Sequence, residues 1–175
     1  MNDQAYERIE DARLILGFLG LDAERSNERS AQVLLALLHL TPTTPWPDAE
    51  APMLGTRAIM DWIRDEYGTD YAPNTRETIR RFTLHQFVDA TLAIENPDQP
   101  DRPVNSPKWR YQISDHALHL IRAYQTDAFH PLLVDYLRDA QDWQRATTPN
   151  DKCSVSPSLC PMAALSHSAQ AVRTR

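Results

Sequence analysis

Glycine is scarce in this chain, with four copies against thirteen prolines in 175 residues. That excludes a glycine-rich loop of the kind that cradles phosphate groups on nucleotide-binding folds. Cysteine is scarcer still. Cys153 and Cys160 both fall in the last segment, so the body of the chain holds no disulfide framework. Lysine occurs only as Lys108 and Lys152, which leaves the positive charge to arginine. The longest apolar run, Val33 to Leu38, is far too short to span a bilayer or to form a signal-peptide core. With an acidic N-terminus as well, the expectation is a cytoplasmic protein with no membrane partner. Catalytic constellations are missing too. Metal-dependent nucleases need clustered carboxylates, commonly an Asp followed by an acid-x-Lys pair. Neither lysine has an acid two residues before it. His116 and His119 share a helical side, but no cysteine or acid pairing completes a metal site. No catalytic or metal-binding residues are therefore expected.

The formal net charge is -6, which runs against the basic footprint of most DNA-binding domains. The distribution matters more than the sum. Residues 76–81 hold Arg76, Arg80 and Arg81 against Glu77 alone, and residues 102–110 hold Arg102, Lys108 and Arg110 with no acid. Arginine pairs two-pronged with guanine or phosphate, which lysine cannot do.

Helical periodicity dominates the first ninety residues. Ile9, Ala12, Leu16 and Leu19 give an amphipathic helix over 5–19, stopped by Gly20. Asn27 caps a second, strongly apolar helix carrying Val33, Leu34, Leu37 and Leu38. A proline-rich loop, 41–48, follows, and its Trp46 is expected to pack on the core. Thr56 opens a third helix, with Ile59, Trp62 and Ile63 inward and Gly68 as its stop. After a short turn comes the stretch 71–89. Pro73 sharpens its start, Asn74 is a suitable N-cap, and Glu77 stands three residues on, as in a capping box. Ile79 and Phe82 with Ala90 and Ile94 are expected on one buried side, and Leu84, Val88 and Leu92 on another. What stays free is the N-terminal end. Helix, glycine-containing turn, helix is the helix-turn-helix pattern, and a recognition helix meets base edges with its N-terminal residues. Asn74, Thr75, Arg76, Arg80, Arg81 and His85 are the candidate DNA contacts there, with Arg81 on a different side from Arg76 and Arg80. A surface helix with solvated arginines is the competing interpretation.

Repeated prolines forbid a helix over 96–107. The chain then alternates Trp109, Tyr111 and Ile113 against Lys108, Arg110 and Gln112, which predicts a strand over 108–113. A basic loop and strand after a recognition-like helix form a wing, with Arg102, Asn105, Ser106 and Lys108 placed to touch phosphate or a groove. Ser114 caps the next helix, with Leu118, Ile121 and Tyr124 inward. Pro131 opens the last, with Leu132, Leu133, Tyr136 and Leu137 buried and Trp143 near its end at about Arg145. The predicted fold is mainly α: a helical bundle containing a winged-helix-like helix-turn-helix with a short β wing, over residues 1–146.

Several stretches resemble one family closely. They are Asn27-Glu-Arg-Ser-Ala31, Leu35-Ala-Leu-Leu38, Thr41-Pro42, Ile59-Met-Asp-Trp-Ile-Arg64, Tyr71-Ala-Pro-Asn-Thr-Arg-Glu-Thr78, His85-Gln-Phe-Val-Asp-Ala90 and the loop from Asn96 to Lys108. From about Ala12 to Arg145 the chain is similar to the N-terminal domain of the BsuBI/PstI type II restriction endonucleases. The resemblance implies sequence-specific recognition of double-stranded DNA by a helix-turn-helix. In that family the domain precedes a magnesium-dependent nuclease domain, and the named members cut a palindromic CTGCAG site. No counterpart of the nuclease domain is visible here. No cofactor is therefore expected in this chain, with magnesium belonging to the nuclease domain. The expected activity is DNA recognition without cleavage by this chain alone. A separate nuclease-domain chain and a second copy of this chain are the further candidate partners. A stand-alone DNA-binding regulator and an inert or interaction-only helical remnant stay open as alternatives.

Residues 147–175 lose hydrophobic period and turn rich in Ser, Ala, Pro and Cys. A disordered tail is expected there. Read from the third base of each codon, Cys153 to Thr174 also permits Val-Pro-Val-Thr-Leu-Pro-Asp-Gly, a hairpin-like peptide resembling the segment that joins the two domains in this family. The tail is thus expected to be an out-of-frame product.

Overall fold

The structure is a computed structural model that describes residues 3–103 and 106–147, with the side chains of 141–147 left out. Expectations for 148–175 and for Asn105 therefore fall outside the described residues.

Helix α1 (Asp3–Phe18) buries Ala5, Ile9, Ala12, Ile15 and Leu16, the spacing its sequence dictates. It packs on α2 (Glu28–Leu37), where eight of ten residues are buried, so α2 is the central helix of the core. Asn27 caps α2 as predicted, its side-chain oxygen accepting from the Ser30 N–H at 3.0 Å. The proline-rich loop winds into one short 3-10 turn at Trp46–Asp48. Trp46 is buried there, edge-on to Tyr124 at 5.0 Å and under the Arg8 guanidinium at 4.7 Å.

Helix α3 (Thr56–Tyr67) matches the sequence in both bounds and buries Ile59 and Ile63 as expected, with Met60 buried too and Trp62 only half-buried, and Gly68 ends it at φ 72°. That left-handed backbone is easy for glycine and strained for residues with a Cβ. The following helix spans 75–89 in three pieces: α4 (Thr75–Ile79), one π turn (Arg80–Leu84) and α5 (His85–Asp89). The wide turn is visible in the His85 N–H, which donates to the Arg80 carbonyl five residues back.

Three expectations for this stretch are corrected. Asn74 makes no side-chain cap, because its backbone is already helical at φ -70°, ψ -19°. The capping box is absent as well: the Glu77 carboxylate accepts from Arg81 at 2.6 Å instead. Phe82 is 59% exposed rather than buried, because Thr83 and Leu84 take the inward positions after Ile79.

The helix ends earlier than a continuous apolar pattern suggested. Thr91 turns the chain at φ 58°, and β1 (Ala93–Glu95) begins. Leu92 and Ile94 therefore do not extend a helical face; Ile94 points outward from a strand, 41% exposed. Strand β2 (Tyr111–Ile113) pairs antiparallel with β1, Ala93 opposite Ile113 and Glu95 opposite Tyr111. On its other edge Tyr111 exchanges two backbone hydrogen bonds with Leu54, just ahead of α3. The predicted strand exists, three residues shorter than expected, and its partner β1 was not read from the sequence.

Ser114 caps α6 (Asp115–Arg122), and α7 (Phe129–Thr147) closes the described chain, starting two residues before Pro131. The architecture is mainly helical with a small two-stranded sheet. No helix among the described residues is long and apolar enough to cross a membrane.

Candidate nucleic-acid interface

Two helices and the turn between them carry the candidate surface. The turn is held from below by a buried side chain, Gln32 of α2. Its amide donates to the Thr69 hydroxyl at 2.9 Å, and its carbonyl oxygen accepts from the Tyr71 hydroxyl at 2.6 Å. Burial pushes the Tyr71 hydroxyl up to about 12, with Glu28 adding to the shift and Arg29 opposing it. Tyr71 is therefore a permanent donor at neutral pH. Polar groups buried this way fix geometry, since each unmade bond leaves a desolvated partner. A second anchor runs from the Tyr67 hydroxyl to the Leu40 carbonyl at 2.7 Å. Together they set the angle at which helix 75–89 leaves α3.

Along that helix Ile79, Thr83, Leu84 and Phe87 are buried. Glu77, Arg81, Phe82 and Asp89 are exposed on the opposite side, with Thr78 and His85 half-buried between them. Of the residues predicted from sequence, Asn74 and Arg76 stand exposed, and Thr75 is half-buried at the first turn. Arg80 departs from expectation. Its side chain is 28% exposed, with its guanidinium 3.8 Å from Glu77. It lies against the sheet beside the Tyr111 hydroxyl. Burial raises that hydroxyl, the Glu95 carboxylate raises it further, and Arg80 works in the opposite direction. Arg80 thus lies between the helix and the sheet without hydrogen-bonding the Tyr111 hydroxyl, which has no partner among the described residues, while Arg81, 69% exposed, faces outward. The Arg81 hydrogen bond holds the Glu77 carboxyl below its ordinary range, aided by the positive charge of Arg81, Arg80 and Arg76.

The loop between the strands carries a clear correction. Arg102, expected on the outside of the wing, is buried inside it. Its guanidinium donates to Asn96 Oδ1 at 2.9 Å, to Asp98 Oδ2 at 2.6 Å and to the Lys108 carbonyl. Asn96 is itself buried, sits at φ 43° and accepts from the Arg110 N–H at 3.0 Å. Arg102 is therefore the clamp of the loop and leaves no face for phosphate. Ser106 is half-buried, its hydroxyl accepting from the Lys108 N–H at 3.2 Å. Lys108 itself is exposed, and so is Arg110. The exposed cations of the wing are thus Lys108 and Arg110, with Arg110 absent from the predicted contacts.

Sequence reasoning also missed Gln32 and Phe82. The first carries no signal beyond a polar residue inside an apolar run; the second reads as core by periodicity. On α3 the exposed arginines are already occupied, Arg57 by Asp61 at 3.2 Å and Arg64 by Asp65 at 2.9 Å. Among the described residues no three or more His, Cys, Asp or Glu side chains converge to hold a metal ion.

Comparison with known proteins bears on the same region. Residues 6–148 match the family described as the BsuBI/PstI restriction endonuclease HTH domain. The chain is 48% identical over 141 residues to the type II restriction enzyme BsuBI of Bacillus subtilis, covering 81% of this chain and 45% of that enzyme. It is 37% identical over 131 residues to the type II restriction enzyme AplI of Arthrospira platensis, covering 75% and 40%. Among solved structures, the SdaI restriction endonuclease superposes with a TM-score of 0.73 at 44% identity, covering 79% of this chain and 43% of that one. The chain spans less than half the length of each of these relatives.

Proposed function

The chain belongs to the BsuBI/PstI restriction endonuclease HTH domain family, and we propose that it binds double-stranded DNA sequence-specifically through helix 75–89, as the recognition part of a restriction system. The observation that carries this is the exposure pattern of that helix. Its later turns are locked into the core, while Asn74 and Arg76 stand exposed at its first turn after the Gly68 turn, and Arg81 is exposed with its guanidinium on Glu77. Such an end can enter a major groove and offer arginine to base edges. Lys108 and Arg110 on the wing would meet phosphate, fixing register without reading sequence.

Cleavage is a separate matter. The described residues do not fit a magnesium site. Magnesium would serve carboxylates supplied by another segment or another chain. A palindromic target would require two copies, so a dimer on DNA is part of the proposal.

A gel-shift titration against a random duplex pool, at two salt concentrations, tests the reading. Affinity that falls steeply with salt, together with enrichment of one sequence, is the expected result. Absence of any shift at low salt would leave a helical interaction domain in its place.

A further inference from the structure

We infer that Phe82 is a base-reading residue, its ring meeting the 5-methyl group of a thymine in the major groove. This rests on the DNA-binding function proposed above and specifies what one position of the target must be.

Phe82 is 59% exposed, the most exposed large apolar side chain among the described residues. The exposed Phe18, by contrast, meets the Phe129 ring edge-on at 5.8 Å. No ring contact is made by Phe82 among the described residues. Its orientation is not free to change. Ile79, Thr83, Leu84 and Phe87 are wholly buried and fix the rotation of the helix around it. The π turn that contains Phe82 admits both Thr83 and Leu84 to the core, and that leaves no inward place for residue 82. Wide turns of this kind recur at functional sites.

The neighbours on the same side define the partner. Thr78 four residues before Phe82 and His85 three after it lie one helical turn to either side, and Arg81, bonded to Glu77, adjoins it, so the ring is flanked by groups able to hydrogen-bond base edges. A phenyl ring offers nothing to phosphate. On the floor of the major groove the apolar group is the thymine methyl, which Phe can contact. Wedging between base steps is the habit of minor-groove proteins, whereas a recognition helix lies in the major groove.

The experiment uses the full chain. A target is first selected from a random duplex pool with the unaltered protein. Each thymine of that target is then replaced singly by deoxyuridine, which removes only the methyl. One replacement is expected to weaken binding about three- to fivefold, the effect of exposing one methyl-sized group. Phe82→Ala should bind the thymine and deoxyuridine duplexes equally, at the level of the unaltered protein on deoxyuridine, and Phe82→Leu should retain part of the discrimination. Unchanged melting temperature would show that the variants fold. The inference is overturned if Phe82→Ala still prefers thymine by the original factor, if no thymine methyl matters, or if Phe82→Ala loses self-association while discrimination stays intact. Failure to select any target would instead defeat the DNA-binding function itself, and this inference with it.

Discussion

At the residue scale, arginines that look alike in sequence have been given different work. Arg76 and Arg81 are exposed, Arg80 leans on the wing and Arg102 is inside the loop. Arg76→Ala or Arg81→Ala should therefore cost roughly 1–3 kcal/mol of specific binding and relax discrimination at one base pair. Competition binding with single-base variants of the target measures this, and equal loss on every sequence would reassign the residue to phosphate. The wing gives the complementary pair. Lys108→Ala should lower the slope of log affinity against log salt by about one, without altering sequence preference. Arg102→Ala should leave that slope unchanged and lower the melting temperature by several degrees, because Asn96 Oδ1 and the Lys108 carbonyl lose a buried donor at roughly 1–3 kcal/mol. A salt slope that moved with Arg102 would return it to the phosphate contacts.

At the scale of elements, the turn and the wing are each held by polar groups that a hydrophobic pattern does not reveal. Gln32 bonds both Thr69 and Tyr71 across the turn. Gln32→Ala should destabilise by roughly 1–3 kcal/mol. Amide exchange over 72–79 should accelerate more than in α1; equal protection in both would show that the turn does not depend on Gln32. In the wing, the Arg102 hydrogen bond and positive charge hold the Asp98 carboxyl below the ordinary aspartate range. A depressed carboxyl contributes stability that is present above its unfolded value of about 3.9 and is lost as pH falls through the lower folded value. The loop should thus keep its clamp at neutral pH and loosen only in strong acid. Carbon-detected titration of the Asp98 carboxyl follows this directly, and Arg102→Met should move its midpoint upward. A midpoint indifferent to that change would disprove the pairing in solution.

At the scale of the molecule, a net charge of -6 coexists with a surface proposed to meet DNA. The acids are spread over α1, α3 and α7, and several are paired with arginines of their own helix, such as Asp61 with Arg57 and Asp135 with Arg138. Arg76 on the recognition helix and Lys108 and Arg110 on the wing are exposed and make no ion pair among the described residues. The matched family region is the HTH domain, and the lysines lack the acid-x-Lys spacing of a nuclease centre. Purified chain in magnesium buffer should accordingly leave plasmid DNA uncut. Site-specific cuts by the chain alone would require a catalytic centre within these residues.

What the sequence determined by itself is what short-range rules control. Asn27 and Ser114 cap their helices, Gly68 ends α3, and the period of α1 and α3 marks their buried faces. Each depends on contacts within a turn or two of the chain. The helix-turn-helix and its family were legible for the same reason, since the pattern is sequential. Tertiary structure decided the rest. Whether Phe82 or Thr83 enters the core depends on the rotation of helix 75–89 against its neighbours, shifted by a π turn that no period announces. Whether Arg102 faces solvent depends on Asn96 and Lys108 closing around it. Strand β1 exists because β2, whose paired residues lie sixteen positions away at Glu95–Tyr111 and twenty at Ala93–Ile113, supplies its hydrogen bonds. Burial and pairing across such distances are properties of the packed molecule, because the partner that settles each one lies on another element.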